Sequence, residues 1–546
     1  FTNPTNVLNE SQDQTRLTLI ENTLNYDKTF GRHKIQALAG YTIQKNNYKF
    51  WSQANNNLPD GLDVQDAGSG TASVGGNRIE SALISELARV IYSFDNRFLF
   101  TGSFRRDGSS RFGKNNRYGN FPSAALGWNL SQENFFRPLA KTFQAFKLRA
   151  SYGVLGNQEI ADYAYIPTIA SNANYAIGSD QHKWFGAIQQ AFADPNIKWE
   201  NTQTFDAGLD AAMFENRLNI TLDYFNKKST DVLLNVPIPG SVGSTSNPVT
   251  NAGSIENRGF EAGLSYNGRV NAFNYTVGAT GSFIHNKVLS LGAGNQPIFG
   301  GQPTQNGAST TVTGLGGPIT AFKLIQTNGI FATQQEVDSY VDKNGNKIQP
   351  NAAPGDIRFV DANGDGKVDD NDRVYCGSPF PTFEYGFNFA GSWNNFDASL
   401  VIQGVYGNKI YNSFRQELEG MSYEFNYSTA TLHAWTPTNH STIPRAIISD
   451  PNVNDRTSAR FLENGSYARL KSLQVGYNFP TSLMQRFHIN SLRAYVSGDN
   501  LITITRYSGY NPDIGRTGSI FDRGVDFVYV SYPLPRTVTF GVQLSF

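Results

Sequence analysis

The chain has 546 residues, more than one ordinary soluble core holds, so it contains either several domains or one very large closed sheet. Lysine plus arginine balances aspartate plus glutamate at 45 each, and no basic tract or acidic tail stands out, which removes any electrostatic reason for nucleic-acid binding. The single cysteine, Cys376, excludes an intrachain disulfide and a multi-cysteine metal site, and a lone thiol of this kind reads as structural.

Composition favours the sheet: 39 Phe, 26 Tyr and 52 Gly stand against only 16% charged residues. No run of about 18 apolar residues exists, so no transmembrane helix is expected. A mean hydropathy of −0.39 would ordinarily mark a soluble protein. It does not do so for a barrel, whose strands alternate lipid-facing with lumen-facing residues and so dilute the average. The chain opens at Phe1 without Met, charged n-region or apolar h-region, and is expected to be processed or incomplete.

In chain order, period-two alternation predicts strands near 17–27, 34–45, 84–95, 97–106, 121–131, 146–156, 203–214 and 218–236. Further strands follow near 256–267, 273–285, 382–393, 396–406, 467–479, 491–504 and 535–546, about 15 in all. Leu218, Ile220, Leu222 and Tyr224, for example, alternate with Asn219, Thr221 and Asp223. Short polar links such as Asp95-Asn96-Arg97, Glu215-Asn216-Arg217 and Asn394-Asn395 join the segments into hairpins. The opposite ends are joined by long Gly-, Asn-, Ser- and Pro-rich stretches: Asn46 to Ala82, Asn157 to Asn201, Ser290 to Pro381 and Tyr406 to Gly465. Short turns in the periplasm and long loops outside are the pattern of an outer-membrane barrel. Helical patterns over Glu133 to Phe143 and Ser482 to Phe487 merely cap hairpins on the short-turn side. Bacterial barrels close with an even number of strands, so an odd count places at least one strand upstream of Phe1. In the last segment Val538, Phe540, Val542, Leu544 and Phe546 share one face, and Phe540, Val542, Leu544 and Phe546 read as an outer-membrane assembly signal.

Catalytic signatures are missing, no catalytic residue is nominated, and an enzyme is not expected; the six histidines are scattered without metal spacing. Arg105, Arg106, Asp107 and Arg111 are expected to form an internal salt-bridge network rather than a substrate site. The sharpest local motif is Asp361-Ala362-Asn363-Gly364-Asp365-Gly366-Lys367-Val368-Asp369-Asp370-Asn371-Asp372. It resembles an EF-hand loop: Asp361, Asn363, Asp365, Asp369 and Asp372 offer side-chain oxygens, Lys367 its carbonyl, and Gly366 the sharp turn. The expected ligand is Ca²⁺, in a structural role, although Asp replaces the usual Glu at the last position; the bland alternative is an acidic Asn-Gly turn without metal. Tyr175, Trp184, Phe185, Phe299, Tyr423, Phe425 and Tyr427 lie in the long loops, where they either stack on sugars or, more simply, pack.

Longer motifs then become specific. They are Arg105-Arg106-Asp107-Gly108-Ser109-Ser110-Arg111-Phe112-Gly113, Tyr152-Gly153-Val154-Leu155-Gly156-Asn157-Gln158 and Asp194-Pro195-Asn196-Ile197-Lys198-Trp199-Glu200. They continue with Asn251 to Glu261 (NAGSIENRGFE), Asn464 to Lys471 (NGSYARLK), Tyr507 to Asp513 (YSGYNPD) and Tyr532 to Thr537 (YPLPRT). In this order they resemble the SusC/RagA family of TonB-dependent outer-membrane transporters over nearly the whole chain.

The resemblance implies an all-β transmembrane antiparallel barrel over 1–546, with long extracellular loops at about 290–381 and 406–465. About 15 of about 22 strands would be present, with the plug domain and TonB box outside this chain. It further implies residence in the outer membrane of a Bacteroidetes-like Gram-negative cell, in contact with lipid. Energy would come from the TonB-ExbB-ExbD system through the missing N-terminal region, and a SusD-like surface lipoprotein would act as lid. The cargo would be a bulky nutrient, an oligosaccharide or oligopeptide. A passive porin or structural barrel is the alternative; a soluble glycan-binding or glycan-cleaving protein would not end on the alternating strand that closes at Phe546.

Overall fold

The computed structural model describes residues 6–171, 173–191, 193–235, 248–302, 308–421, 426–515, 519–527 and 531–546. Fifteen strands form the main sheet. The first eight are β1 (Val7–Phe30), β2 (His33–Asn56), β3 (Ser73–Phe94), β4 (Phe98–Ser109), β5 (Tyr118–Asn129), β6 (Phe143–Asn157), β7 (Glu200–Met213) and β8 (Leu218–Thr230). The rest are β9 (Ser254–Val270), β10 (Phe273–Ser290), β11 (Phe383–Trp393), β12 (Phe396–Tyr406), β13 (Tyr467–Asn478), β14 (Ser491–Thr505) and β15 (Thr537–Ser545). The sheet is antiparallel, and its strands neighbour one another in chain order without a crossover. All fifteen coincide with segments expected from alternation.

Four boundaries differ, each for a physical reason. Asn46 to Ala82 is loop only in its middle, because β1, β2 and β3 stay paired up to Asn56 and Ser73. Backbone pairing needs no apolar face, and cross-strand polar pairs such as Gln53 Nε2 on Glu10 at 2.8 Å support the ladder where hydrophobic alternation has ceased. The segment expected over 218–236 breaks after Thr230; Leu233–Asn235 instead pairs with Val249–Asn251 in a separate ribbon. The first helical pattern is 3₁₀, Asn134–Leu139, with Pro138 unable to supply an α-helical amide. The second is a single α-turn, Thr481–Met484, that tightens into a 3₁₀ turn over Gln485–Phe487 and ends at left-handed His488.

The tight turns follow residue chemistry. Asp95 and Asn96 both adopt positive φ (55° and 52°), the conformation a two-residue hairpin needs and that Asn and Asp tolerate.

The chain divides into two compact units. The first comprises Phe1–Gln132, Arg149–Asp206 and Lys227–Ser254. Its apolar core is Phe112, Phe121, Ile160, Ile197 and Trp199. Trp199 meets Phe112 and Phe121 at ring-centroid distances of 5.2 and 5.3 Å, and its indole N–H donates to the Arg117 carbonyl at 3.0 Å. The Asp194-to-Glu200 motif thus supplies two core side chains from a loop.

The second unit comprises Glu133–Leu148, Ala207–Asn226 and Ile255–Phe546. Its long connections carry sheets of their own. Ile298–Gly300, Thr311–Thr313, Ala321–Ile325 and Arg373–Gly377 form a four-stranded sheet, and Thr327–Ile330 pairs with Ile357–Phe359. Lys409–Asn412 lies between Leu462–Asn464, antiparallel, and Val525–Asp526, parallel. Phe322, Leu324, Tyr411, Phe461 and Val525 bury one shared core at 0–1% exposure.

Candidate functional site: the membrane-facing wall and the outer loops

Register in the second unit sorts the wall into two faces, because residues directly opposite in an antiparallel pair share a face. Phe273 faces Trp393, Trp393 faces Phe396, and Phe396 faces Tyr477, giving an aromatic row at the short-turn end. A second row, Phe283, Phe383 and Tyr406, stands ten positions along the same strands. Between the rows run Val277, Phe389, Leu400 and Leu473. Ten residues at about 3.3 Å each, tilted by about 40°, span roughly 25 Å, the height of a barrel's apolar band between its aromatic girdles.

The opposite face is polar. Ser282, Glu384 and Gln403 line it together with Asp223 and Glu261 around a cavity of about 660 Å³, which Arg523 also reaches. Lower down, Asp397 accepts hydrogen bonds from Arg493 and Asn478. A wall apolar without and polar within is what separates lipid from an aqueous lumen. Among the described residues no helix is long and apolar enough to cross a membrane.

β15 continues the lipid face. Leu544 lies opposite Leu492, Val542 opposite Ala494 and Phe540 opposite Val496, while Ala494 in turn faces Tyr477. Val538, Phe540, Val542 and Leu544 are 56, 82, 71 and 41% exposed, and Phe546, just beyond the strand, 84%.

The arginines of the Arg105-to-Gly113 motif form short ion pairs. Arg105 Nε contacts both oxygens of Asp107 at 2.8 Å and its Nη2 donates to Ser85; Arg111 pairs with Asp162 at 2.9 Å, and Arg106 with Glu86 at 3.6 Å. Two C-terminal motifs meet at Arg469, 2% exposed, which donates to Asn511 at 2.7 Å and Thr503 at 3.0 Å.

In the 361–372 loop most carboxylates hold backbone amides. Asp361 accepts from the N–H groups of Gly364 (2.7 Å) and Gly366 (2.9 Å), and Asp372, fully buried, from Ala362 (2.9 Å) and Asp369 (2.8 Å). Asn363 accepts from the Asp365 N–H at 2.8 Å. The Lys367 ammonium sits 2.6 Å from Asp369 and 3.9 Å from Asp365. That ammonium, aided by the Asn371 N–H, holds the Asp369 carboxyl below the usual carboxylate range, and Asp369 raises Lys367 in return. Among the described residues no three His, Cys, Asp or Glu side chains converge as they stand around a metal position. The six expected ligands share one loop, but its carboxylates are engaged by backbone amides and by the Lys367 ammonium.

Of the loop aromatics, Tyr175 and Trp184 face each other in a hairpin and are 73 and 57% exposed, and Phe185 is 83% exposed. Their packing is local and leaves them exposed: Trp184 meets His182 edge-on with ring centroids 5.4 Å apart, and the Lys183 ammonium lies 5.6 Å over the Phe185 ring. Phe299 is also exposed and Tyr427 half-buried; Tyr423 and Phe425 lie outside the described residues.

A buried polar network joins segments that no spacing connects. Asp356, fully buried, takes hydrogen bonds from Arg445 Nε and Nη2 at 2.7 and 3.0 Å and from Asn454 at 3.1 Å, and Asn454 also donates to Asp450 at 2.7 Å. Burial, with the nearby Asp455 charge, pushes Asp450 up to about 6.

Comparison with known proteins agrees with the geometry. A family described as "TonB dependent receptor-like, beta-barrel" matches residues 1–355. The TonB-dependent receptor P3 of Formosa agariphila is 33% identical over 97% of this chain and 52% of its own length. The TonB-dependent receptor SusC of Bacteroides thetaiotaomicron is 29% identical over 85% of the chain and 44% of its own. The solved RagAB peptide transporter superposes with a TM-score of 0.83 at 23% identity, over 100% of this chain and 57% of that one. The chain spans about half the length of the relatives it matches. It belongs to the TonB-dependent receptor β-barrel family and its wall is that of an outer-membrane barrel.

Proposed function

We propose that the protein imports a bulky nutrient, an oligosaccharide or oligopeptide, by TonB-dependent active transport together with a SusD-like lid lipoprotein. The observation that carries this is the folded outer surface. Connections of 92 and 60 residues (290–381 and 406–465) build sheets with a shared core rather than simple turns, and long ordered loops of that kind usually carry function. Such a surface suits docking of a partner, and the polar, acid-lined inner face suits passage of a hydrated cargo. RagAB is a peptide transporter, which supports the oligopeptide reading of the cargo.

Two structural roles belong to the same proposal. Phe540, Val542, Leu544 and Phe546 would serve as the assembly signal, and the 361–372 loop would take Ca²⁺ through Asp361, Asn363, Asp365, the Lys367 carbonyl, Asp369 and Asp372. The bound ion would supply only charge and rigidity.

The test uses the full-length protein in its native outer membrane. Uptake and growth on the cognate nutrient should vanish when TonB is deleted, and a surface lipoprotein should co-purify. Uptake that persists without TonB would establish the passive-porin alternative.

A further inference from the structure

Along β9 and β10 the lipid face changes chemistry at one level. On β10 the outward series from the short-turn end is Phe273, Tyr275, Val277, Ala279, Gly281 and Phe283, and the next outward residue is His285. On β9 the series Tyr266, Leu264, Ala262 and Phe260 ends in Arg258. Phe260 shares the face of Tyr224 on β8, their ring centroids 5.0 Å apart, and Phe283 stacks on Phe383 at 4.4 Å. These rings, with Gly259 and Thr382, bound a groove of about 430 Å³ that Arg258 and His285 also line.

Phe283 lies in the upper aromatic row, which marks the outer edge of the apolar band. Two residues further, about 5 Å higher along a tilted strand, a side chain stands among headgroups rather than acyl chains. Arg258 is exposed there, and its guanidinium makes no hydrogen bond or ion pair among the described residues. The nearest acid on its own strand and face, Glu256, is engaged by Asn226 at 3.3 Å. A cation left unpaired at a membrane interface above a cleft between aromatic rings complements an anionic lipid: guanidinium for phosphate, rings for the chains below.

We propose that this groove binds the phosphate-bearing headgroup of an outer-leaflet lipid, with Arg258 and His285 as donors and Tyr224, Phe260 and Phe283 flanking its acyl chains. Native mass spectrometry of the full-length receptor in detergent tests it, with diphosphorylated lipid A, its dephosphorylated counterpart and inorganic phosphate as probes. Diphosphorylated lipid A should stay bound to the wild type and bind about tenfold more weakly to Arg258→Gln/His285→Gln. The dephosphorylated lipid should bind both proteins equally weakly, and inorganic phosphate alone should not be retained. Equal retention of the phosphorylated lipid by wild type and variant would overturn the proposal, and so would tight binding of free phosphate without lipid. If the double variant fails to assemble, Arg258→Lys and Arg258→Gln are compared singly: retention by the first and loss by the second supports the site, and equal behaviour removes it.

Discussion

Arg493 reaches Asp397 by lying flat across Gly476. The two residues stand on β14 and β12 with β13 between them, and the guanidinium bridges the gap, donating through Nε at 2.9 Å and through Nη2, which also donates to Gln474 at 3.0 Å. A Cβ at position 476 would sit 2.7 Å from the guanidinium carbon, so a larger residue forces the Arg493 side chain off this path.

Gly476→Val should therefore break this pair as surely as Arg493→Gln does. Both groups are partly solvated, so the expected loss is about 1–2 kcal/mol. Urea unfolding in lipid vesicles measures it. Gly476→Val combined with Arg493→Gln should cost little more than either change alone, and full additivity would show that the glycine acts elsewhere.

On the last strand, Val538→Arg, level through Gly498 with Leu473 between the aromatic rows, places a charge against acyl chains and should cost about 2–4 kcal/mol, whereas Thr539→Arg, on the opposite face, should cost far less. The same unfolding assay compares them. Equal losses would contradict the assignment of faces.

The loop core predicts a separable defect. Phe461 is 1% exposed against Phe322 and Tyr411, and Phe461→Ala should destabilise the outer connections by about 3–5 kcal/mol. The wall, held by strand pairing and lipid contact, should still migrate as an assembled barrel. Limited proteolysis should then cleave within 290–381 and 406–465. Loss of the assembled band would show that wall and loops fold together.

For the 361–372 loop, calorimetry on chelated full-length protein should detect Ca²⁺ binding that Asp365→Ala abolishes. Lys367→Gln should strengthen it, because the ion no longer competes with an internal ammonium. No heat from either the wild type or Lys367→Gln would identify a metal-free turn.

Asp450 gives a pH dependence of definite sign. Its folded pKa, about 6, lies above the ordinary 3.8, so the folded network holds a proton that the unfolded segment would release. The resulting stabilisation is full below about pH 4 and disappears as pH rises through 6. Protection factors for amide exchange across 446–458, taken relative to the intrinsic rate at each pH, should thus be higher at pH 5 than at pH 7.5, by roughly tenfold at most. Asp450→Asn should flatten that difference.

The wall was legible because a strand that separates lipid from water must alternate, and Val538 to Phe546 or Leu218 to Tyr224 do so without exception. The loop sheets were not legible. Tyr411 pairs with Val525, and Asp356 with Arg445, across separations no local period encodes. Nor did composition reveal that Tyr175 and Trp184 stay exposed, since an aromatic ring in a loop carries no local sign of whether anything covers it. The tall ends of β1 to β3 were missed for a complementary reason: above the membrane both faces are wet, and alternation vanishes while pairing persists.

The strands Lys409–Asn412 and Leu462–Asn464 belong to one connection and Val525–Asp526 to another, Phe322 and Leu324 bring a third onto the same core, and Tyr411 is bonded on both sides. Mechanically these connections are one hinged plate and not three independent fingers. A force on any one of them is shared at once by the other two. Displacing any one of them requires moving or breaking the core that all three share.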